Sequence, residues 1–407
     1  MNRVRRIYCR IFQKAFHLAI PFLPYRKPEI LNGVRELPAL FRKKCITRVL
    51  LVTDKGIRER GITKDLENIM AEEGIILTVY DGTVANPTTE NVEEARKLYL
   101  SSSSEAIIGF GGGSSIDAAK AVGARIAYPK KPLAKMEGIL RVRRHIPLLV
   151  AIPTTAGTGS ETTLASVIVD SKTRHKYPIN SFPLIPRYAV LDPEVTRTLP
   201  PSLTASTGLD ALTHAIEAYI GGSTTKETRR AALEAVSLIF SSLTSAYRNG
   251  NDMEARRKML RAAFLAGTAF TVSYVGYVHA VAHSLGGRYN VPHGLANAIL
   301  LPYVLEEYGK PAEKKLAELA EAAGIKGKDR HEKATNFILA IKEMERAMNI
   351  PAKMECIKAE DIPSLASYAD KEANPLYPVP VLMDAEELEH LYLLVMAESH
   401  KKTATIA

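Results

Sequence analysis

The stretch Tyr277–Asn297, with the sequence YVHAVAHSLGGRYNVPHGLAN, decides how the rest of the chain is interpreted. It places three histidines, His279, His283 and His293, within fifteen residues. His279 and His283 are four residues apart, so they share one face if this stretch is a helix. Imidazoles on one helical face are typical ligands of a divalent metal ion.

Glycine and proline in the same stretch predict how its helix ends. We expect Gly286 and Gly287 to terminate the helix, because glycine is the residue most common just past a helix end. Pro292 then predicts a turn that presents His293.

A second pair with the same spacing lies upstream in GLDALTHAIEAY, where Asp210 precedes His214 by four residues. Carboxylate and imidazole ligands from two helices, with one further histidine, would complete a metal site in a helical domain. A lone buried histidine is more often a core residue with a satisfied hydrogen bond. The chain has only 10 histidines, however, and four fall in these two blocks, which favours the metal site.

A metal ion at such a site predicts the type of reaction. A divalent ion acts as a Lewis acid towards an alcohol oxygen and stabilises the alkoxide, so that a hydride can leave for a nicotinamide. One of the four histidines would be left over as a proton shuttle, since its ordinary pKa suits that task. The three cysteines, Cys9, Cys45 and Cys356, have no reactive context or metal spacing.

Composition excludes several other classes of protein. The 407 residues are 46% hydrophobic and 24% charged, which is typical of a globular protein of two or three domains. The sequence contains no run of about 18 apolar residues, the length that a transmembrane helix requires. The net charge of +10 is spread without long basic blocks, so nucleic-acid binding is not favoured. Scattered cysteines are typical of a reducing compartment, and we expect a cytoplasmic protein.

The first 30 residues are basic and apolar. Charged residues interrupt the apolar run at Arg10 and Lys14, and prolines break it at Pro21 and Pro24, so a signal peptide is not favoured. The pattern instead predicts an amphipathic helix that docks on its own protein or on a partner subunit. Contact with a membrane surface is the less favoured alternative.

From residue 47 to about 195, strands alternate with helices, which predicts a parallel sheet with crossover helices. The predicted strands are 48–54, 76–81, 106–110, 147–153 and 187–192, with a hairpin over 162–170 and 174–180. Beyond Pro200 the pattern is helical throughout. We therefore predict a basic extension at 1–30, an α/β dinucleotide-binding domain at 31–198 and an all-helical catalytic domain at 199–407.

A glycine-rich loop, Gly111–Asp117 (GGGSSID), follows the strand at 106–110 and opens a helix. Backbone amides at a helix N-terminus bind a pyrophosphate when no side chains block the approach. The spacing differs from the G-x-G-x-x-G fingerprint, and an ordinary turn with a serine N-cap is the alternative. The candidate cofactor-binding residues here are Gly112, Gly113, Ser114 and Asp117.

A second loop, Pro153–Glu161 (PTTAGTGSE), also follows a strand, and ligands of open parallel sheets bind beyond the carboxyl ends of strands. Two such loops can face one nucleotide, although an ordinary threonine-rich turn is the alternative. Asp54 ends the first strong strand, where a carboxylate would bind a ribose and repel a 2′-phosphate, favouring NAD over NADP. A helix N-cap is nearly as good an interpretation of Asp54, and Asn86 is either a loop contact or a turn residue.

Taken together, these blocks resemble the iron-containing (group III) alcohol dehydrogenases. The resemblance runs from about Val49 to the C-terminus, and its most specific parts are GLDALTHAIEAY and HAVAHSLGGRYNVPHGLANAILLP. It implies a dinucleotide-binding domain followed by an all-helical domain, with the active site in the cleft between them. It also implies Fe(II), or sometimes Zn(II), and an oligomer of two or more copies.

The resemblance also implies roles for individual residues. It makes Asp210, His214, His279 and His293 the metal ligands and places His283 beside the metal, where it would help proton movement or nicotinamide placement. The cofactor contacts that it implies are Asp54, Asn86, Gly113, Ser114, Thr154, Thr155, Thr158 and Lys176.

The predicted function is the NAD(H)-linked interconversion of a small primary alcohol and its aldehyde. Few charged residues lie near the metal blocks, which favours a small aliphatic substrate. The alternative is a glycerol dehydrogenase-like or dehydroquinate synthase-like metalloenzyme on the same scaffold. A lyase of that kind would need basic residues converging on a phosphorylated substrate, whereas the helices that carry the ligands are mostly apolar.

Overall fold

The computed structural model describes residues 1–397. The chain forms two compact units: Pro24–Leu199, and Met1–Leu23 joined with the chain from Pro200 onward. The boundaries between the compact units fall after Leu23 and Leu199. The domain boundaries that we expect from the sequence, after residues 30 and 198, stay a prediction.

Helices account for most of the chain. In order they are α1 (Arg3–Ala19), α2 (Leu37–Lys43), α3 (Lys55–Glu59), α4 (Lys64–Glu72), α5 (Thr89–Ser101), α6 (Gly113–Ala127), α7 (Pro201–Ile220), α8 (Lys226–Arg248), α9 (Met253–Ser273), α10 (Tyr277–Tyr289), α11 (His293–Tyr308), α12 (Lys310–Ala322), α13 (Arg330–Ala347), α14 (Ile362–Ala373) and α15 (Ala385–Val395). The strands are β1 (Glu29–Leu31), β2 (Arg48–Val52), β3 (Ile76–Tyr80), β4 (Ala106–Gly111), β5 (Gly138–Ile139), β6 (Leu148–Pro153), β7 (Ala165–Val169), β8 (Lys176–Asn180) and β9 (Tyr188–Val190).

The unit Pro24–Leu199 is built on a six-stranded parallel sheet with the order β1-β9-β6-β4-β2-β3. Its central strands are almost entirely apolar because both faces are covered. Successive side chains of β2 point to opposite faces: Leu50 and Val52 join one core cluster, and Val49 and Leu51 join the other. The predicted α/β architecture is confirmed.

A small second sheet, with the order β5-β8-β7, lies in the same unit. Its strands β7 and β8 are antiparallel and pair Ala165 with Asn180, so the predicted hairpin is confirmed. The strands β1 and β5 were not predicted from the sequence. They contain three and two residues, too few to show an alternating pattern.

The second unit is helical, and its helices α7, α8 and α9 pack on one another along their length. Within the described residues, no single helix is both long and apolar enough to cross a membrane. Only α9 and α10 taken together meet that test, and they are bent by 99° at their junction.

The helix α10 does not end where the sequence predicts. It continues through Gly286 and Gly287 to Tyr289, and Asn290 then adopts the left-handed conformation with φ of +55°. Asparagine tolerates this conformation and can take the place of glycine after a helix. Pro292 precedes α11 directly, so His293 is the first residue of a helix rather than part of a free turn.

The N-terminal helix α1 packs on the helical unit. Arg5 forms two hydrogen bonds with the carboxylate of Asp370, at 2.7 and 2.8 Å. The amide of Gln13 donates to the carbonyl oxygen of Tyr377 at 2.7 Å, and Arg10 donates to that of Val379 at 2.7 Å. The predicted docking of this segment on its own protein therefore occurs through polar contacts to residues 370–380.

Candidate metal centre and cofactor loops

Three helices bring four of the predicted residues together. Asp210 and His214 lie one turn apart on α7, His279 lies on α10, and His293 opens α11. Each offers one ligand atom, and these four atoms all lie within 4.8 Å of one another. Ligands held tetrahedrally at about 2.1 Å from an ion would be about 3.4 Å apart. The Asp210 Oδ1 atom is 3.5 Å from His293 Nε2 and 3.9 Å from His279 Nε2, so the donor set fits a divalent ion.

Close packing of α7 against α11 sets the distance between Asp210 and His293. A Cβ atom on Gly294 would lie 2.6 Å from the backbone oxygen of Ser206, so only glycine lets the two helices approach this closely. His293, the residue before this glycine, is thereby placed beside Asp210. The side chains of Asp210, His214 and His279 are buried, and that of His293 is partly exposed.

Glu217 holds the ring of His279 through Nδ1, while Nε2 of the same ring faces Asp210. The Glu217 carboxylate accepts His279 Nδ1–H at 2.6 Å and the backbone N–H groups of Gly276 and Val278 at 2.8 Å each. A hydrogen on Nδ1 leaves Nε2 as the ligand atom. Burial and the neighbouring imidazoles lower the pKa of His279 well below its ordinary value, so the ring is neutral, as a ligand must be.

Asn297 contacts three of the four candidate ligands. Its Nδ2 donates to Asp210 Oδ1 at 2.7 Å and lies 3.2 Å from His279 Nε2 and 3.1 Å from His293 Nε2. The side chain is fully buried. Neither Asn297 nor Glu217 was predicted from the sequence. Helical spacing could have found them, since Glu217 follows Asp210 by seven residues and Asn297 follows His293 by four.

The structure separates His283 from the four clustered ligand atoms. Its ring stacks on His293 with 5.1 Å between the centroids, and its Nδ1 hydrogen-bonds to Glu372 Oε1 at 2.6 Å. The hydroxyl of Tyr377 donates to the same carboxylate oxygen at 2.7 Å. Burial raises the pKa of Glu372, but the His283 ring and the Tyr377 hydroxyl outweigh it, and the net shift is downward. His283 is thus a partly exposed imidazole held by an ionised carboxylate.

In the other unit, the two predicted loops lie side by side because β4 and β6 are paired strands, with Gly111 opposite Pro153. The backbone N–H of Thr154 donates to the Gly111 carbonyl at 3.0 Å. Gly111 has φ of +151°, and a Cβ there would lie 2.5 Å from Ser115 Oγ, so a side chain is excluded. The space next to Gly112 is bordered by Thr155, and that next to Gly113 by Thr158. Gly112, rather than a serine, precedes the first turn of α6.

Asn86 links two more of the predicted residues. Its Oδ1 accepts from Lys176 Nζ at 2.6 Å, and its backbone N–H donates to Ser114 Oγ at 3.4 Å. Its backbone is left-handed, with φ of +56°. Asp54 caps α3 by accepting from Ile57 N at 3.0 Å, so the N-cap interpretation is correct, and the side chain remains partly exposed at the end of β2.

Asp117 is placed differently from the other cofactor candidates. It accepts from Ser160 Oγ at 2.6 Å through Oδ1 and from Val167 N at 3.0 Å through Oδ2. Both oxygens therefore hold the protein's own loop, which favours a structural role over cofactor contact. The fully buried Lys120, which was not predicted from the sequence, donates to Ser160, Thr163 and the carbonyl of Ala165, and burial lowers its pKa to about 8.

The chain matches two family models. Residues 30–193 match "Iron-containing alcohol dehydrogenase", and residues 204–396 match "Fe-containing alcohol dehydrogenase family, C-terminal". It is 39% identical to alcohol dehydrogenase 4 of Saccharomyces cerevisiae strain YJM789, covering 84% of this chain and 89% of the yeast protein. It is 35% identical to 1,3-propanediol dehydrogenase of Klebsiella pneumoniae, covering 89% of this chain and 94% of that protein. A crystal structure of 1,3-propanediol oxidoreductase is similar with a TM-score of 0.87 and 33% identity, covering 91% of this chain and 98% of the other.

Proposed function

Because the chain belongs to the iron-containing alcohol dehydrogenase family, we propose specific roles for its residues in a metal-dependent, NAD(H)-linked interconversion of an alcohol and its aldehyde. The reaction class follows from the family. The residue roles, the metal, the nucleotide and the substrate class are our proposal. The observation that carries it is the cluster of Asp210, His214, His279 and His293 within 4.8 Å.

We assign the metal to these four side chains. One carboxylate oxygen and three imidazole nitrogens suit both Fe(II) and Zn(II), and the family favours Fe(II). A metal ion held there supplies Lewis acidity towards the oxygen of the alcohol or aldehyde. Glu217 keeps His279 in the required tautomer, and Asn297 keeps the carboxylate of Asp210 turned towards the imidazoles.

We assign proton transfer to and from the substrate oxygen to His283. Its Nδ1 is held by Glu372, so proton exchange with the substrate oxygen or with water falls to Nε2. Stacking on His293 fixes the plane of the ring. An imidazole that is partly exposed can return its proton to solvent, whereas the buried His279 cannot.

The nicotinamide cofactor is assigned to the two loops at the ends of β4 and β6. The backbone around Gly112 and Gly113 offers amides at the start of α6 to a pyrophosphate. Thr155, Thr158, Asn86 and Lys176 border the same loops. Asp54 favours NAD over NADP, because a carboxylate there repels a 2′-phosphate.

For the substrate we propose a small primary alcohol or its aldehyde. A relative with 35% identity is a 1,3-propanediol dehydrogenase, which supports a short substrate. The buried residues around the ligands on α7 and α10 are mainly apolar, without a cluster of cations for a phosphorylated substrate among the described residues. We further propose a homodimer or higher homo-oligomer acting in the cytoplasm, where the three free cysteines stay reduced.

The experiment is anaerobic oxidation of NADH with a panel of short aldehydes. Chelated enzyme is compared with enzyme reconstituted with Fe(II) or Zn(II), and NADPH is run in parallel. We expect activity only after metal is restored, highest with Fe(II), and higher with NADH than with NADPH. Full activity of the chelated enzyme would contradict the metal role. Absence of activity with every metal, despite bound NADH, would contradict the substrate class.

A further inference from the structure

The outer face of α1 is an unusual concentration of exposed apolar side chains. Val4 is 79% exposed and Ile11 is 64% exposed, and Ile7, Tyr8 and Leu18 are also exposed. These positions follow the three- and four-residue spacing of one helical face. Just beyond the helix, Phe22 is 87% exposed. We call these six residues the outer stripe of α1.

The opposite face of the same helix already has its partner. Cys9 and Gln13 are buried there, and Arg5 forms its ion pair with Asp370. The helix is therefore anchored to the helical unit by one face, and the outer stripe lies on the face turned away from that unit. Residues 1–29 also precede the family match, so this face is not explained by the alcohol dehydrogenase reaction.

The charges along this segment indicate what covers the outer stripe. Residues 1–28 contain seven Lys and Arg residues and no Asp or Glu. Arg3 and Lys14 are exposed and lie along one edge of the stripe, and neither forms an ion pair with the described residues. An apolar helical face with a cationic edge is complementary to an anionic lipid surface, into which the apolar side chains insert while the cations meet headgroups.

We propose that α1 binds the enzyme to an anionic membrane surface through its outer stripe, with Arg3 and Lys14 against lipid headgroups. A second copy of the chain fits less well, because it would bring the same cations against Arg3 and Lys14. This differs from the sequence-based expectation, which favoured docking on protein over a membrane. The polar contacts of Arg5, Arg10 and Gln13 account for docking on protein, and the outer stripe is an additional surface.

The absence of tryptophan from the sequence gives a direct test. Phe22→Trp introduces a single tryptophan, excited selectively over tyrosine, at an exposed position of the stripe, and Leu339→Trp is the matched control on α13. Vesicles of phosphatidylcholine with about 30% phosphatidylglycerol are compared with pure phosphatidylcholine by fluorescence and by flotation. We expect a blue shift of the Phe22→Trp variant, and none of the Leu339→Trp variant, with the anionic vesicles.

Two double variants identify the contacts. Ile7→Asp with Ile11→Asp should lower binding at least about tenfold and leave alcohol dehydrogenase activity unchanged, because neither residue lies at the proposed active site. Arg3→Glu with Lys14→Glu should abolish the preference for anionic vesicles, and so should high salt. Equal binding to both kinds of vesicle, or binding to neither, would overturn the proposal. So would self-association that depends on Ile7 and Ile11 while vesicles do not bind, because a second copy would then be the partner.

Discussion

The carboxylate of Glu217 accepts His279 Nδ1–H at 2.6 Å, deep in the helical unit and 62 residues away along the chain. The same carboxylate also accepts the N–H groups of Gly276 and Val278, at the start of α10. One side chain thus fixes both the start of α10 and the tautomer of the candidate ligand His279 on that helix. This relationship gives the first prediction.

Replacing Glu217 by glutamine should weaken metal binding about 10- to 100-fold, because an amide cannot accept all three N–H groups and no longer holds His279 Nε2 towards the ion. The dissociation constant is measured by competition with a chelator. Glu227→Gln, an exposed glutamate on α8, is the control. If Glu217→Gln binds metal as tightly as the wild type, the carboxylate does not position the ligand.

The two histidines that share a face of α10 should respond differently to replacement by alanine. His279→Ala should lose stoichiometric metal, because it removes a ligand from the cluster. His283→Ala should retain metal and lower kcat about 100-fold or more, because it removes the proposed proton-transfer group. Metal content is measured by elemental analysis and kcat by steady-state kinetics, with His331→Ala as the surface control. Loss of metal from His283→Ala would show that the ligand assignment is wrong.

Asp54 should set the choice between the two nucleotides. Serine is also a good N-cap, so Asp54→Ser keeps the cap of α3 and removes only the charge. We expect the ratio of kcat/KM for NADPH to that for NADH to rise about tenfold. Asp54→Ala removes the cap as well and should lower the Tm in addition. An unchanged ratio in Asp54→Ser would place the 2′-position of the ribose away from this residue.

We expect the buried Glu345 on α13 to make the free energy of unfolding depend on pH. Burial raises the pKa of this carboxyl from 4.5 to about 8. The folded state therefore binds more protons than the unfolded state between these two values, and the stability contributed by this group falls as the pH rises from 4.5 to about 8. Glu345→Gln removes this loss, so the variant should be more stable than the wild type by about 1–3 kcal/mol at about pH 8 and nearly equal to it at about pH 5.

The measurement is the difference in Tm between Glu345→Gln and the wild type at about pH 5, 6, 7 and 8. Glu343→Gln is the matched control, since Glu343 is exposed two residues away. A difference that shrinks as the pH rises would contradict the sign of the shift.

Local patterns in the sequence predicted much of the fold and the four residues of the candidate metal cluster. The apolar runs of β2, β4 and β6 are buried on both faces, which is why their sequences identified them as parallel strands. The pair Asp210 and His214 could be predicted because an α-helix has about 3.6 residues per turn, so residues four apart lie on the same face. These features depend on residues a few positions apart.

The features that were not predicted from the sequence depend on contacts between distant segments. Glu372 lies 89 residues from His283, and nothing near either residue indicates that they pair. The end of α10 was wrongly placed at Gly286 because packing of the helix outweighs the low helix propensity of glycine. Asp117 belonged to a recognisable motif, but its partners Ser160 and Val167 come from other parts of the chain.

All four candidate metal ligands come from the unit after Pro200, and all the candidate nucleotide contacts come from Pro24–Leu199. The proposed metal site and the proposed nucleotide site therefore share no residues. On these assignments we expect Asp54→Ser to change the nucleotide preference without affecting the ion, and a substitution next to His293 to alter metal preference without affecting the nucleotide. Mutations in one part of the gene could therefore change the choice of nicotinamide nucleotide, and mutations in another part could change the choice of metal.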